Sequence, residues 1–240
     1  KVETLRELGI DPVVCLQFNS ALRSLTAEEF VSRVLVNGLS TRYLIVGDDF
    51  RFGCDRSGDF AMLRKAGEHH DFEVQDTDTL EVDGQRVSST LVRQVLSQSD
   101  FEGASLLLGR PFTIKGCVVY GQQLGKKLGF PTANVQLNRY SAPISGVFAV
   151  LVTIAGDIYQ GAANVGIRPT VGGLVKPILE VHLLDFRGDL YGHRIEVEFK
   201  HKIREEKKFT TLDSLVENIR RDVNNIRTWF SQQNNTENKA

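Results

Sequence analysis

Apolar positions along the chain fall into two regimes. Up to about residue 108, short apolar runs alternate with stretches of helical period. Val13, Val14, Cys15 and Leu16, inside 10–18, read as a short buried strand. Thr26, Ala27, Glu28 and Glu29 form a capping box, and Phe30, Val31, Val34 and Leu35 make the apolar face of the helix it opens, with Gly38 just past its end. Residues 43–47 give a second strand, 60–69 a helix and 72–74 a strand. Ser88 or Ser89 then caps a helix over 90–98, and 100–108 is a helix ended by Gly109. Strands alternating with helices predict a parallel α/β sheet.

Beyond Pro111 the period changes to two. Strands are predicted over 112–120, 146–155, 158–163, 177–186 and 190–199, with turns at Gly156-Asp157 and Arg187-Gly188-Asp189. Five or six antiparallel strands with no helix between them suggest a closed β-barrel. Over 211–230 the pattern becomes helical, and Leu212, Leu215, Val216, Ile219, Val223, Ile226, Trp229 and Phe230 line one stripe that must pack on the barrel. The expected organisation is therefore an α/β domain over 1–108, an all-β domain with its terminal helix over 109–231, and a disordered Gln/Asn-rich tail over 232–240.

Composition narrows the function. The 240 residues carry 29 Lys and Arg against 30 Asp and Glu, a net charge of −1. That balance argues against a protein built to coat nucleic acid or an anionic membrane. Cys15, Cys54 and Cys117 are odd in number and lack C-x-x-C spacing, so they read as reduced thiols in the cytoplasm rather than a disulfide frame or zinc site. No apolar run approaches a membrane-spanning length. The chain opens on Lys1 in the middle of a helical pattern, and a lost N-terminal segment is expected.

The chemistry-bearing stretch runs from Gly121 to Asn134. Gly121, Gly125 and Gly129 let the backbone lie close against a partner, and Lys126 and Lys127 between them suit an anionic one. Pro131 blocks a following helix and a second Lys stands where Ser or Thr is needed, so the loop is not a Walker A motif. Taken alone it is either a phosphate cradle or an ordinary connection between strands. Thr132 and Asn134, two residues apart in an extended segment, emerge on one face as hard oxygen ligands. Such a pair suits Mg²⁺ held beside a nucleotide's phosphates. In the strand over 177–186, Glu180 and His182 share the face opposite Leu179, Val181 and Leu183. That face is either solvated or functional, since a carboxylate there is costly to bury without a partner or a task.

The glycine-rich loop running into Pro131-Thr132-Ala133-Asn134 resembles that of the riboflavin kinases. The resemblance implies Thr132 and Asn134 at the Mg²⁺ of Mg-ATP, and Glu180 as base at the ribityl hydroxyl of riboflavin. His182 gains no role from it and reads as structural. The stretch from Gly161 to Thr170 is similar to the family's G-x-A-N-x-G-x-R-P-T segment, which implies Asn164 and Arg168 near flavin and nucleotide. Asp189-Leu190-Tyr191-Gly192 and the run from Arg204 to Phe209 also follow the family pattern, with Arg204 the residue of that run expected to reach ligand.

In the first domain, Gly47, Asp49, Phe50, Phe52 and Gly53 match a G-x-D-F-x-F-G element at a strand end, where open α/β sheets bind ligands. Ser88, Ser89, Thr90 and Arg93 match a Ser-Ser-Thr-x-x-Arg helix start, which is either a simple cap or a phosphate site. Together these resemble the adenylyltransferase half of bifunctional bacterial riboflavin kinase/FAD synthetases. That half's H-x-G-H motif has no counterpart among His69, His70, His182, His193 and His201. The expected architecture is thus an incomplete Rossmann-like nucleotidyltransferase domain followed by a six-stranded riboflavin-kinase barrel. The implied reaction converts riboflavin and ATP to FMN and ADP. Adenylylation of FMN to FAD is expected of the full-length protein and not of this chain. A non-catalytic flavin-binding module and a single-strand nucleic-acid barrel are the rival readings.

Overall fold

The computed structural model describes residues 2–47, 49–121, 123–137, 141–169 and 175–237. The chain forms two compact units, Lys1–Leu80 and Glu81–Ala240.

The first unit contains α1 (Val2–Glu7), α2 (Ser20–Arg23) and α3 (Ala27–Phe30), which runs on as a π-helical segment over Val31–Val36. The expected capping box is present: Glu29 N–H donates to Thr26 Oγ1 at 3.2 Å, and Thr26 N–H to the Glu29 carboxylate at 3.1 Å. Strand β1 (Tyr43–Gly47), helix α4 (Phe60–His70) and strand β2 (Glu73–Thr77) follow. β1 and β2 pair in parallel, from Tyr43 opposite Glu73 to Gly47 opposite Thr77. Ala27, Val31, Leu35, Phe52, Leu63 and Phe72 form the core of this unit. The strand expected at Val13–Leu16 does not form. Among the described residues no strand pairs with this segment, and Val14, Leu16 and Phe18 stay exposed.

The second unit opens with the short ladder β3 (Glu81–Val82) and β4 (Gln85–Arg86), then α5 (Ser89–Ser97) and α6 (Phe101–Leu108). The barrel elements are β5 (Thr113–Val119), α7 (Leu124–Lys127), β6 (Ala133–Val135), β7 (Gly146–Ile154), β8 (Asp157–Pro169), β9 (Val175–Leu183) and β10 (Arg194–Arg204). All six strands close in the order β10-β5-β6-β9-β8-β7. Alternation fills the interior with Ile114, Val118, Phe148, Val150, Val152, Ala163, Val165, Leu179, Val181, Ile195, Val197 and Phe199. The β7–β8 turn is Ala155-Gly156, one residue before the expected Gly156-Asp157. Both residues have positive φ, as a two-residue hairpin turn of the mirror-image class needs.

The division between units falls earlier than the expected change of domain at Gly109. Helices α5 and α6 contribute Leu96, Phe101 and Ala104 to the barrel's own core. The Phe101 ring lies 5.8 Å from Phe148 and 5.9 Å from Phe199, plugging the barrel. The last element, α8 (Leu212–Glu237), buries Ile226 and Phe230 against Ala149 and Leu184 on the barrel's outer wall. It continues beyond Phe230 through a stretch expected to be disordered, because Gln and Asn tolerate a helix already nucleated by packing. Residues 238–240 lie outside the described residues.

Candidate active site

The outer wall of the barrel carries a row of polar residues fixed by strand register. Asn134 on β6 stands opposite Glu180 on β9, and Glu180 stands opposite Asn164 on β8. The row continues through Val147 on β7 to Arg204 on β10. Directly paired residues have Cβ atoms about 5 Å apart, so the carboxylate of Glu180 is flanked by two carboxamides. Their neighbours along the strands, Ala133, Val135, Ala163, Val165, Leu179 and Val181, are buried in the core, and this pins the polar set outward.

Over this wall lies a cavity of about 240 Å³. Its floor includes Val147, Ala162, Asn164, Glu180 and His182. The α7 loop contributes Gly125, Leu128, Phe130 and Thr132, and α8 closes the far side with Leu215, Ile219, Asp222 and Val223. The lining is mostly apolar with several convergent polar groups, the usual makeup of a site for a small organic ligand. A second cavity of about 320 Å³ is lined by Lys126, Pro131, Thr132, Ala133, Asp189, Tyr191 and neighbouring apolar residues. Thr132 lines both.

The glycine loop is built tightly against these oxygens. A methyl group on Gly121 would overlap the Asn134 carboxamide. One on Gly125 would overlap the Phe130 carbonyl and lie 3.3 Å from Thr132 Oγ1. Gly129 turns the chain with φ +86°. Lys126 and Lys127 are exposed at the end of α7. Thr132 and Asn134 thus offer a hydroxyl and a carboxamide oxygen in a cradle that admits no larger residue. Among the described residues no group of three His, Cys, Asp or Glu side chains gathers to hold a metal. Two neutral oxygens are the donor type that a hard cation such as Mg²⁺ takes when its other ligands carry the negative charge.

Arg204 lines the first cavity but is held by another group. Its Nε and one terminal nitrogen donate to both carboxylate oxygens of Asp222 at 2.7–3.0 Å, and its other terminal nitrogen donates to the Glu205 carbonyl at 2.8 Å. Phe209 packs beside the guanidinium, 5.6 Å from its ring centre. Asp222 was not anticipated from the sequence. The signal was there: Asp222 is three residues after Ile219 and four before Ile226, inside the apolar stripe, where a carboxylate needs a partner. His182 was read as structural, and its Nδ1 lies 2.8 Å from the Pro131 carbonyl. The Arg168 side chain and Thr170 lie outside the described residues.

In the first unit, Gly47 ends β1 and Phe50 stacks on Phe52 with ring centroids 5.7 Å apart. Asp49 is exposed, and Phe50 borders a groove shared with Phe18, Asn19, Arg23, Phe30 and Arg56. Ser88 acts as the N-cap of α5, accepting from Leu91 N–H at 3.1 Å. Ser89, Thr90 and Arg93 are exposed on the same first turns.

Residues 108–230 match the riboflavin kinase family model (Flavokinase), and residues 1–91 match that of FAD synthetase. The bifunctional riboflavin kinase/FMN adenylyltransferase of Pseudomonas fluorescens is 55% identical over 215 residues, covering 90% of this chain and 69% of the relative. The Escherichia coli K12 protein of the same name is 47% identical over 231 residues, covering 96% and 74%. The chain belongs to the bifunctional riboflavin kinase/FMN adenylyltransferase family. A Streptococcus pneumoniae crystal structure, named as a macrolide-efflux protein, superposes on this family member with a TM-score of 0.72 at 32% identity. It covers 95% of this chain and 73% of that one. Among the described residues no helix is long and apolar enough to cross a membrane. Within the family frame the polar row and the glycine loop belong to the kinase part, and the Gly47–Phe50 segment to the adenylyltransferase part.

Proposed function

We propose that the barrel transfers the γ-phosphate of ATP to the ribityl 5′-hydroxyl of riboflavin, giving FMN and ADP. The observation that carries this reading is that Thr132 lines two adjoining cavities while Asn134 and Asn164 flank Glu180 one strand away. The apolar cavity under α8 takes the flavin ring, and its ribityl chain runs toward Glu180. The cavity beside Lys126 takes the nucleotide, with its phosphates against the loop from Gly121 to Gly129.

In the reaction the ribityl oxygen forms a bond to the γ-phosphorus as the bond from that phosphorus to the β,γ-bridging oxygen breaks. The hydroxyl proton passes to the Glu180 carboxylate, and ADP leaves. Phosphoryl transfer asks the protein mainly for positioning and charge neutralisation. Glu180 orients the hydroxyl, and the lysines of α7 lie near the phosphates. Thr132 and Asn134 would hold Mg²⁺, which when bound supplies charge neutralisation between the phosphates. Arg204 shapes the flavin wall through Asp222. Asn164 stands on the flavin and nucleotide side, and Arg168 is assigned to it on the family resemblance alone.

The family's second reaction, adenylylation of FMN to FAD, is a proposal for the full-length protein and not for this chain. Gly47, Asp49 and Phe50 at a strand end, and separately Ser88, Ser89, Thr90 and Arg93 at a helix start, are tied to it by the family resemblance alone. Riboflavin, ATP, ADP, FMN and FAD are the ligands of this reading, and neither nucleic acid nor membrane takes part. The three free cysteines suit the cytoplasm. Riboflavin-dependent ADP release tests the kinase reading. A folded chain that binds riboflavin but releases no ADP in its presence would leave only the flavin-binding module.

A further inference from the structure

The kinase reading leaves the His182 side chain without a task. His182 lies two residues after Glu180 on the same face of β9, and it lines the same cavity. Its Nδ1 is 2.8 Å from the carbonyl oxygen of Pro131. A carbonyl can only accept, so Nδ1 carries the hydrogen and donates it. The Phe130 ring meets the imidazole edge to face, with centroids 5.6 Å apart.

That bond falls where the backbone ladder stops. The β6–β9 pairing runs from Val135 opposite Leu179 to Ala133 opposite Val181. Extending the register by one residue sets Thr132 opposite His182, but β6 ends at Ala133 and Pro131 has no N–H to give. The segment from Phe130 to Thr132 is otherwise tied back to its own loop, through Phe130 N–H donating to the Gly125 carbonyl at 2.8 Å. The imidazole therefore supplies the cross-strand bond that the backbone cannot make. It fastens the carbonyl immediately before Thr132 to the strand that bears Glu180.

We infer that His182 is a positioning residue, which clamps the Pro131–Thr132 segment to β9 and so fixes the glycine loop and the Thr132 hydroxyl relative to Glu180. The inference rests on the kinase reading for its consequence in turnover, but the clamp itself is a property of the ligand-free chain. His182 touches neither reacting atom. Its loss acts through the loop, weakening nucleotide binding and turnover.

The test compares His182→Ala with His182→Asn in the whole chain. An Asn carboxamide nitrogen reaches nearly the position of Nδ1 and keeps the donor, whereas Ala deletes it. The first readout needs no activity. Trypsin cuts after Lys126 and Lys127, both exposed on the clamped loop, and mass spectrometry follows those two cuts. His182→Ala should be cut about tenfold faster, the scale of one lost hydrogen bond, and His182→Asn at nearly the wild-type rate. The second readout is kinetic. His182→Ala should raise the KM for Mg-ATP about tenfold and lower kcat, and His182→Asn should restore both parameters.

Unchanged cutting and unchanged nucleotide KM in a folded His182→Ala protein would overturn the inference. Equal damage in Ala and Asn would overturn it too, by showing that ring packing rather than the donor matters. If His182→Ala fails to fold, His182→Leu, which keeps bulk against Phe130 without a donor, takes its place against Asn. A wild-type chain that releases no ADP would defeat the kinase reading alone, and the proteolysis comparison would still judge the clamp.

Discussion

Asp222 is the residue whose loss should cost this molecule most for its size. It is the one buried charged side chain among the described residues, and it accepts three hydrogen bonds from Arg204 at 2.7, 2.9 and 3.0 Å. Side-chain exposure is 7% for Asp222 and 17% for Arg204, so little water can replace the lost partner. Truncating one member of such a pair leaves the other charge stranded, at a cost of about 3–5 kcal/mol. The residual exposure of Arg204 places Asp222→Ala toward the lower end, about 3 kcal/mol. With a urea dependence of about 1–3 kcal/mol per molar, the unfolding midpoint should fall by at least about 1 M.

Trp229 is the single tryptophan, and it stacks on His201 from α8 at a centroid distance of 5.4 Å. Its fluorescence therefore reports release of that helix from the barrel during a urea titration. Replacing both partners with apolar residues, Arg204→Met with Asp222→Leu, should recover most of the loss, because no charge is then left buried. A midpoint for Asp222→Ala within about 0.2 M of wild type would show that the pair is hydrated in solution and does not hold α8 in place.

Other substitutions test the site and the surface. Glu180→Gln should lower kcat by about a hundredfold or more while riboflavin affinity changes little, as steady-state kinetics and flavin fluorescence titration would show. Asn134→Ala should reduce turnover at least about tenfold without lowering the melting temperature of the barrel. Gly121→Ala should act in the same direction, because its methyl group would displace the Asn134 carboxamide. On the surface, hydrogen bonds from Arg227 hold the Asp185 carboxyl below its ordinary value, slight desolvation opposes them, and the charges of Arg227 and His182 add to the lowering. A depressed carboxylate stabilises the fold above its unfolded pKa of about 3.9 and loses that contribution as pH falls through the lower folded value. The stability gap between wild type and Asp185→Asn should therefore be constant from about pH 5 to 7 and close below about pH 4 in denaturant titrations.

Where local pattern and tertiary demand agree, the sequence was sufficient. The alternation in β9 separated Glu180 from Leu179 and Val181, and the eight-residue α8 stripe contained the two buried contacts, Ile226 and Phe230, although Leu212 at its start stays exposed. Both follow from periodicity alone. Register does not, because it depends on which strands become neighbours. Nothing in the chain order places Asn134, Glu180 and Asn164 side by side, and β6 is too short at three residues to announce itself as a strand. Pairings between distant segments were equally hidden: Asp222 with Arg204, and His182 with Pro131. The converse failure is Val13–Leu16, whose apolar run satisfies strand periodicity but has no neighbour among the described residues to complete its hydrogen bonds.

Phosphate transfer to the flavin tests the central claim most directly. The chain is incubated with riboflavin, Mg²⁺ and ATP labelled on its γ-phosphate, and the flavins are then separated and counted. The proposed site predicts label in FMN equal to the ADP formed, with Glu180→Gln binding riboflavin normally and transferring about a hundredfold more slowly. Wild-type protein that binds both ligands yet puts no label into flavin, or Glu180→Gln transferring at the wild-type rate, would contradict it.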